Sequence, residues 1–361
     1  MKFINIKWDM TYKCNLNCRH CLNSKIRVGK KDLEYDQLCS ALEKICETDL
    51  ISHMQFLGGE PTVHPHFCDI VTLLSERGIG IGVNTNCIKL GRVERVIEHF
   101  YEVNVSLDGP TKETHEYIRY LKQFSTFERV LNNLKRLKQL KEENGHTFNL
   151  VISCVLARHN LSVIEDMVDL CVDVGAQGLN LLQLVEEGSA ALIDELQVTP
   201  REKMDAARRV GIRAHDLGLS EDTLKVNTRF TYNKVIDYLR KETGINLPHT
   251  NHSCGAGYTF GYMNQKAELY PCDRISPDYE LVERNKSIER LSLVDRDFYD
   301  IWESPIYTDA FEMQCSAETY ENCTPCDTCE YLQKTCYPCP AQVAGRTTPV
   351  MIEDCQLLEE L

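Results

Sequence analysis

The stretch CNLNCRHC, running from Cys14 to Cys21, carries three cysteines spaced Cys14-x3-Cys18-x2-Cys21. Three thiolates at this spacing can hold three irons of a 4Fe–4S cluster on one short loop, and they leave the fourth iron without a protein ligand. Structural zinc sites and electron-transfer clusters usually complete their coordination with four protein ligands. The loop therefore predicts a metal site with one position open for a small molecule.

Strand-like and helix-like stretches alternate outward from this loop. The predicted strands lie at 3–12, 53–57, 79–85, 102–107, 147–156 and 179–185, and the predicted helices at 38–47, 67–77, 92–100, 127–143 and 163–174. Strands separated by helices of about ten to fifteen residues are typical of βα units on a parallel sheet. These six strands predict an α/β fold, a partial (β/α)6 barrel with its helices outside.

Polar or glycine-containing motifs follow several of the predicted strands. They are the cysteine loop at 14–21, Gly-Gly-Glu-Pro at 58–61, Asn-Thr-Asn at 84–86 and Ser-Leu-Asp-Gly at 106–109. Residues at the carboxyl ends of barrel strands line the active site. The sequence therefore predicts one functional site at this end of the barrel.

The cysteine loop and the later segment ending in GGEP at 58–61 together resemble the radical S-adenosylmethionine (SAM) enzymes. The resemblance implies that Cys14, Cys18 and Cys21 ligate a 4Fe–4S cluster whose open iron chelates the amino and carboxylate groups of SAM. In that family one electron splits the sulfonium of SAM and gives a 5′-deoxyadenosyl radical. The cofactor carries the chemistry, and the protein supplies its position and excludes competing reactions.

The same resemblance implies a set of SAM-binding residues along the strand ends. They are Gly58, Gly59, Glu60, Thr85, Asn86, Ser106, Asp108, Arg119 and Ser153. The first three are expected to meet the amino group of SAM, because glycine lets the backbone approach a ligand closely and a carboxylate or carbonyl accepts from an ammonium. Arg119 suits a carboxylate through its paired donors, and His20 is expected near the adenine. The alternatives are a tight turn at the two glycines and a surface salt bridge at Arg119.

Cysteines become dense again in the C-terminal third, where Cys254 and Cys272 bracket a predicted hairpin. The pattern that follows resembles the SPASM extension of radical SAM enzymes, which holds two auxiliary 4Fe–4S clusters. It comprises Cys323, then Cys326-x2-Cys329-x6-Cys336-x2-Cys339, and finally Cys355. Family order implies an outer cluster on Cys326, Cys329, Cys336 and Cys355, and an inner cluster on Cys254, Cys272 and Cys339.

The implied inner cluster has three obvious cysteine ligands. Either Cys315 or Cys323 supplies the fourth, or one iron stays open and could bind substrate directly. A zinc module is the alternative for the whole region, because paired CxxC-type spacings are a common zinc signature. Iron and zinc analysis after anaerobic reconstitution distinguishes the two.

Three regions follow from these patterns. A radical SAM partial barrel spans 1–188, a charged helical bridge spans 189–250, and a SPASM-like auxiliary cluster domain spans 251–361. The last region is predicted to be a small, cysteine-rich α+β domain, because its short runs are interrupted by glycine and proline and long helical periodicity is missing.

Composition excludes several classes of function. The formal net charge of −14 over 361 residues argues against nucleic acid as a partner. No run approaches the roughly 20 apolar residues that a membrane helix needs, and the N-terminal residues carry no apolar signal-peptide core. With no export signal, the 18 cysteines favour metal ligands or small core residues over disulfides. We therefore expect a cytoplasmic protein with no membrane partner.

The resemblance implies an oxidoreductase that abstracts a hydrogen atom from a peptide substrate, in the maturation of a ribosomally made peptide. The outcome would be a crosslink or an epimerised residue. Crosslinking is a net two-electron oxidation and needs an electron acceptor, whereas epimerisation needs a hydrogen-atom donor, for which the thiols of Cys154 and Cys315 are candidates. Many peptide-crosslinking relatives carry a leader-binding module before the cluster motif. Here the motif begins at residue 14, so a separate leader-binding protein is a possible partner.

Two other kinds of function stay open. One is radical chemistry on another substrate, by a small-molecule dehydrogenase or epimerase or by an enzyme that oxidises a protein side chain, as sulfatase maturases do. The other is a non-catalytic iron–sulfur electron carrier, which would need no SAM pocket. For an enzyme of either substrate class, a flavodoxin or a ferredoxin is the expected reducing partner.

Overall fold

The structure is a computed structural model. It describes residues 2–25, 31–185, 188–190, 193–249, 254–278, 287–334, 336–343, 350–351 and 353–359. The boundary predicted between residues 250 and 251 lies outside these ranges. Among the helices that the structure describes, none is long and apolar enough to cross a membrane.

A nine-stranded sheet forms the centre of the protein. Its strands are β1 (Ile4–Thr11), β2 (Ile51–Gly58), β3 (Gly80–Thr85), β4 (Phe100–Ser106), β5 (Asn149–Leu156), β6 (Gly178–Gln183), β7 (Lys225–Thr228), β8 (Phe260–Met263) and β9 (Leu269–Tyr270). They follow the order β7-β6-β5-β4-β3-β2-β1-β8-β9. All pairs are parallel except β8 with β9. The predicted α/β fold is confirmed.

Helices connect and flank these strands. They are α1 (Tyr35–Glu47), α2 (Phe67–Glu76), α3 (Gly91–Arg95), α4 (Lys112–Ile118), α5 (Thr126–Asn144), α6 (Asp166–Asp173), α7 (Pro200–Asp216), α8 (Asn233–Thr243), α9 (Phe298–Trp302), α10 (Pro305–Cys315), α11 (Pro340–Val343) and α12 (Glu353–Gln356). Each strand from β1 to β6 is followed by at least one helix. The chain therefore repeats the βα unit that parallel sheets require.

Alternation along β1 shows why the sheet has two different faces. The apolar side chains Ile4, Ile6, Trp8 and Met10 are all buried on one face, whereas Asn5 and Lys7 on the other face are exposed and Asp9 and Thr11 are buried polar residues. The Trp8 ring packs edge-on against Phe56 of β2, with centroids 5.2 Å apart. Burying a large apolar side chain contributes about 1.5–3 kcal/mol, so this outer face holds the helices against the sheet. The opposite face of β1 carries Lys7 and Asp9 and lines the barrel interior.

Two local predictions differ from the structure. The predicted helix at 92–100 is shorter, because α3 ends at Arg95 and the chain is already extended at Phe100. Phe100 is buried against Phe67 and pairs with Ile81 of β3, so packing wins over helical periodicity here. The bridge at 189–250 contains β7 between α7 and α8, a four-residue strand that was not predicted.

The C-terminal third attaches to the edge of the barrel. The hairpin predicted between Cys254 and Cys272 is present as β8 and β9, and β8 pairs in parallel with β1. Beyond the hairpin the described structure is made of short helices and a two-stranded sheet of β10 (Cys323–Thr324) and β11 (Val350–Met351). Side chains of this part form small hydrophobic clusters apart from the main core.

Candidate active site at the carboxyl ends of the strands

The cysteine loop begins directly after β1 and is surrounded by N–H donors. The backbone N–H of Leu16 donates to Cys14 Sγ at 3.4 Å, and the amide of Asn86 lies 3.9 Å from the same sulfur. The guanidinium of Arg119 donates to Cys18 Sγ at 3.7 Å. Burial raises the pKa of the Cys18 thiol to about 11, which disfavours the thiolate. The N–H donors and a bound metal cation would favour the thiolate.

Gly58 and Gly59 press against the backbone at the end of β1. A Cβ on Gly58 would lie 2.3 Å from the carbonyl oxygen of Thr11, and one on Gly59 would lie 2.1 Å from that of Lys13. Gly58 also has a φ of +113°, a conformation that only glycine adopts without strain. The N–H of Gly59 donates to Thr11 at 2.7 Å, and the N–H of Glu60 donates to Lys13 at 2.9 Å. This close approach of β2 fixes where the cysteine loop starts.

The carboxylate of Glu60 is buried and ties the ends of β2 and β3 together. Oε1 accepts from the hydroxyls of Thr62 at 2.6 Å and Thr85 at 2.7 Å, and Oε2 accepts from the backbone N–H of Asn86 at 2.7 Å. Burial raises the pKa of this carboxyl, and these hydrogen bonds oppose the rise. The sequence predicted a ligand contact at Glu60, and its carboxylate is already engaged by protein donors.

Asp108, Arg119 and His20 form a buried charge cluster beside the cysteine loop. Arg119 Nε donates to Asp108 Oδ2 at 2.6 Å, and His20 Nε2 lies 2.8 Å from the same oxygen. The backbone N–H of Val155 donates to the other carboxylate oxygen at 3.0 Å. Burial alone would raise the pKa of Asp108, but the charge of Arg119 and the neighbouring histidine hold it well below its ordinary value. Arg119 does form an ion pair, and the pair is largely shielded, because the side chain of Asp108 is 1% exposed and that of Arg119 is 13% exposed.

The remaining predicted contacts lie at the same end of the sheet. Asn86 Nδ2 donates to Asn15 Oδ1 at 2.8 Å, which joins the end of β3 to the cysteine loop. Ser106 pairs in register with Ser153 on the neighbouring strand, and the Ser153 hydroxyl donates to Asn104 at 2.8 Å. The structure therefore brings the strand ends predicted from the sequence into one region.

The residues around the cysteine loop fit an iron–sulfur cluster and a polar ligand. Among the buried polar atoms that have no hydrogen-bond partner in the described part of the chain, Asn15 Nδ2 and His20 Nδ1 belong to the cysteine loop. Burying such groups unpaired costs about 1–3 kcal/mol each, so both are suited to a bound polar molecule. Within the described residues no three His, Cys, Asp or Glu side chains converge on a single metal ion. Cluster cysteines bind separate irons and need no such convergence.

Comparison with protein-family models gives a match over the N-terminal part of the chain. Residues 8–171 match the family profile of the radical SAM superfamily. The chain carries a radical SAM domain. The matched range contains the second half of β1, all of β2 to β5 and the cysteine loop described above.

Relatives of the radical SAM chain are similar over most of its length. The mycofactocin maturase MftC of Mycobacterium ulcerans is 26% identical over 331 residues, covering 90% of this chain and 81% of that protein. The AdoMet-dependent heme synthase of Methanosarcina barkeri is 22% identical over 366 residues, covering 97% of this chain and 94% of that protein.

Two solved structures have the same fold. SuiB of Streptococcus suis bound to S-adenosylmethionine matches with a TM-score of 0.70 at 16% identity, covering 98% of this chain and 77% of that one. The enzyme anSMEcpe with bound AdoMet and the Cp18Cys peptide matches with a TM-score of 0.68 at 14% identity, covering 99% and 94%. At these identities the likeness establishes the fold of the radical SAM chain, which extends beyond the domain into the C-terminal third.

Residues 188–190 and 193–196, which follow β6, form a covering segment on the cysteine loop that sequence patterns did not predict. The N–H of Ser189 donates to the carbonyl of Cys21 at 3.0 Å. Farther along, Glu195 accepts from Arg19 and from the Tyr117 hydroxyl, both at 2.7 Å. The Arg19 guanidinium also lies over the Tyr117 ring, 4.2 Å from its centroid. These contacts join positions about 80 to 180 residues apart, which local patterns cannot reveal.

An open cavity of about 690 Å³ lies beside this covering segment. It is lined by the ends of β5 and β6 at Leu156 and Gln183, by Glu195, and by Thr199 at the start of α7. Glu353 of α12 also lines it, because α12 packs against α7 and α8. Its volume lies within the range of about 300–1,000 Å³ for ligand sites, and it opens next to the predicted SAM site.

Polar side chains also line the barrel interior. Gln55 of β2 donates to Asn84 at 2.6 Å and lies 3.4 Å from Glu102 of β4. Burial raises the pKa of Glu102 and lowers that of Arg229, while each charge opposes the other's shift. Arg229 is accessible to solvent although protein surrounds it, as expected for a side chain in an open concave interior.

The C-terminal cysteines fall into two groups in the structure. Cys254 and Cys272 each interact electrostatically with Cys339. The second group centres on Cys326, whose thiol is hydrogen-bonded to that of Cys323. Its electrostatic neighbours also include Cys336 and Cys355, and Cys329 lies near Cys336. All 18 cysteines lie in the described part of the chain, and none of them forms a disulfide there.

The position of Cys323 bears on the open question of the fourth inner ligand. Cys323 is fully buried and lies beside Cys326, a member of the second group. Cys315, the other candidate, is exposed at the end of α10. The second group therefore has five cysteines for a cluster that takes four, whereas the first group has three.

Proposed function

We propose that this chain binds SAM at the cysteine loop and uses it to abstract a hydrogen atom from a peptide, in the maturation of a ribosomally made peptide. The observation that carries the proposal is the arrangement at the strand ends, where Cys14, Cys18 and Cys21 lie beside a buried Asp108–Arg119 pair and the glycines of β2. A 4Fe–4S cluster held there would supply the electron that cleaves SAM into methionine and a 5′-deoxyadenosyl radical.

The residues around the loop have separable tasks in this proposal. Arg119 donates to the Cys18 sulfur and is itself held by Asp108, so Asp108 positions the guanidinium and offsets its burial. Glu60 fixes the ends of β2 and β3 through its buried carboxylate. With the carboxylate occupied in this way, backbone carbonyls of 58–60 would accept from the ammonium of SAM, although those of Gly58 and Glu60 already accept from Asn23 and Val63.

The peptide substrate is supported by the names of relatives and by the cavity. MftC is a maturase, and the anSMEcpe structure contains a peptide beside AdoMet. The cavity beside the covering segment is lined by Arg158, Lys203 and Asp194 together with apolar groups such as Phe230. A mixed lining of this kind suits a peptide, which offers charged, polar and apolar groups in one chain. The reducing partner would be a flavodoxin or ferredoxin.

We infer that the C-terminal cysteines hold two auxiliary 4Fe–4S clusters. Cys254, Cys272 and Cys339 would hold the inner one, and four of the cysteines around Cys326 the outer one. Hydrogen-atom abstraction leaves a substrate radical, and loss of one further electron and one proton completes a two-electron oxidation such as a crosslink. An auxiliary cluster is a suitable acceptor for that electron. If the reaction is an epimerisation, a thiol must donate a hydrogen atom, and Cys315 is better placed than the buried Cys154 because it is exposed.

The test is anaerobic reconstitution followed by metal analysis and a SAM-cleavage assay under dithionite. About 12 irons per chain and formation of 5′-deoxyadenosine are expected, because three 4Fe–4S clusters contain that number. A variant with Cys14, Cys18 and Cys21 all changed to Ala should lose about four irons and all cleavage. Cys46→Ala, on α1 and remote from the site, should change neither. Zinc in place of the auxiliary iron contradicts the electron-acceptor role, and a fully loaded protein that leaves SAM intact contradicts the enzyme.

The substrate class needs its own experiment, because the heme synthase relative is named for a small molecule. A peptide translated from a short reading frame beside the gene should stimulate SAM cleavage and should lose two hydrogens on crosslinking, or take up deuterium from D2O on epimerisation. Mass spectrometry of the peptide measures either change. A SAM-cleaving enzyme that modifies small metabolites and leaves every neighbouring peptide unchanged supports the dehydrogenase or epimerase alternative.

A further inference from the structure

Tyr307, on α10, has a buried hydroxyl with no hydrogen-bond partner among the described residues. The side chain is 2% exposed. Buried tyrosine hydroxyls usually find a partner, because burying such a group unpaired is unfavourable. The nearby Tyr270 shows the ordinary arrangement, since its hydroxyl donates to Glu268 at 3.2 Å. The described residues therefore leave the Tyr307 hydroxyl open to a further hydrogen-bond partner.

The surroundings of Tyr307 indicate what that partner is. Helix α10 packs against the inner cysteines, because Ala310, one turn after Tyr307, belongs to a hydrophobic cluster that Cys272 and Cys339 contact. The glycine-containing turn after Cys254 reaches the same helix. A Cβ on Gly257 would lie 2.7 Å from the carbonyl oxygen of Tyr307. All three inner cysteines are thus adjacent to this turn of α10.

Ring packing fixes the direction of the Tyr307 side chain. The Tyr307 and Trp302 ring centroids are 4.7 Å apart, and Trp302 stacks on Phe298 at 5.3 Å. The ionisable groups that face the Tyr307 hydroxyl are Cys272 and Tyr270. A phenol hydroxyl carries its proton near neutral pH, so it can donate a hydrogen bond.

We propose that the Tyr307 hydroxyl donates a hydrogen bond to a sulfur of the cluster held by Cys254, Cys272 and Cys339, and so stabilises the reduced form of that cluster. Reduction adds negative charge to the cluster sulfurs, so a donor aimed at them favours the reduced state and raises the reduction potential. Tyr307 is a positioning residue for the electron acceptor, since it touches neither SAM nor substrate. This inference rests on the auxiliary clusters proposed above.

The experiment compares Tyr307→Phe with Tyr270→Phe in the reconstituted, iron-loaded chain. Both variants remove one buried hydroxyl, and only the first removes the proposed donor. We expect Tyr307→Phe to keep the iron content and to make the midpoint potential of one auxiliary cluster more negative in a redox titration followed by EPR. Tyr270→Phe should leave all midpoint potentials unchanged. Equal potentials in wild type and Tyr307→Phe would overturn the role of Tyr307.

A second measurement covers the case in which Tyr307→Phe fails to assemble its clusters. ENDOR spectra of the reduced wild-type protein in H2O and D2O should reveal an exchangeable proton coupled to an auxiliary cluster, and its absence overturns the proposal. The iron count distinguishes the absence of auxiliary clusters from the absence of a role for Tyr307. A wild-type chain with only about four irons overturns the auxiliary clusters and Tyr307 together, whereas about 12 irons with an unshifted potential overturns Tyr307 alone.

Discussion

The two cysteine-containing regions of this chain are built in opposite ways. The N-terminal loop stands on β1, is clamped by the backbone of 58–60, and borders the large core that spans the whole barrel. The C-terminal cysteines have little regular structure around them, since β10 and β11 are two residues each. Cys323 and Cys326 are themselves members of a small hydrophobic cluster with Tyr320 and Val343.

The fold of the barrel shapes the N-terminal cysteine loop, whereas bound metal would shape the C-terminal cysteine region. Strand pairing and hydrogen bonds within the protein hold the Cys14–Cys21 loop. Small domains with few buried apolar groups usually need metals or disulfides for stability. We therefore expect metal binding to be a separate step in the first region and part of folding in the second.

The largest expected effect comes from removing one ligand of the N-terminal loop. Cys18→Ser should abolish formation of 5′-deoxyadenosine, because the open-iron cluster would lose its buried ligand, while the barrel stays folded. Circular dichroism and thermal melting of the apo chain check the fold, and anaerobic assay checks the activity. Unfolding of the apo variant would show that this region too depends on its cysteines for structure.

Stripping the metal should affect the C-terminal region next most strongly. After chelation of iron, amides at 323–343 should exchange with a free energy of protection near zero, whereas those of β2 to β5 should stay close to the global value of about 5–15 kcal/mol. Hydrogen exchange with mass spectrometry measures both in one sample. Equal protection in holo and apo protein at 323–343 would contradict a metal-dependent fold there.

Replacing Asp108 tests how much the Asp108–Arg119 ion pair contributes to the stability of the N-terminal region. Asp108→Asn should destabilise the apo chain by about 3–5 kcal/mol, because it leaves buried Arg119 without its partner. Denaturant unfolding measures the loss, and SAM cleavage should fall with it. The control is Glu202→Gln, which removes the exposed partner of Arg158 and should cost about 0–1 kcal/mol. Similar losses for both variants would mean that burial of the pair contributes nothing.

Asp9 should make barrel stability depend on pH in the opposite sense to an ordinary carboxylate. Burial raises the pKa of Asp9 to about 7, although the Tyr262 hydroxyl donates to it at 2.8 Å. The folded-state pKa lies above the unfolded value of about 3.9. Only the folded protein keeps the proton between these values, so the free energy of unfolding falls as pH rises from about 4 to about 7.

This loss is at most about 4 kcal/mol, from a shift of about three pKa units at 1.36 kcal/mol each. Asp9→Asn should therefore be more stable than wild type at pH 8 and close to it at pH 4, as measured by urea unfolding of the apo chain. Asp222→Asn, at an exposed turn, is the control and should show no such crossover. A wild-type stability that rises from pH 4 to pH 7 would contradict the raised pKa.

Sequence patterns predicted the parts of this fold that have local causes. The alternation of strands and helices predicted β1 to β6, and residues after strand ends, such as Asp108 and Asn86, were placed in the site because parallel strands share one carboxyl edge. The partners of these residues had no local signal. His20 and Asp108 are 88 positions apart, and β1 pairs with a strand that begins at Phe260.

The four-residue β7 shows the same limit at the level of secondary structure. Its sequence, Lys-Val-Asn-Thr, is too short for alternation to stand out, and it becomes a strand because β6 offers a free edge. The short α3 is the converse case, since packing of Phe100 ended a helix that periodicity had extended. Tertiary contacts therefore determine both the edge strand β7 and the end of α3.

The order of the strands has a consequence for how such a protein can diverge. The free edges of the described sheet are β7 and β9, and both lie beyond residue 171, where the radical SAM domain ends. The opening of a partial barrel lies between its edge strands, so the rim that a substrate must pass is encoded by the later half of the gene. Recombination or drift in that half could change which molecules are admitted and leave the radical-generating half inherited intact.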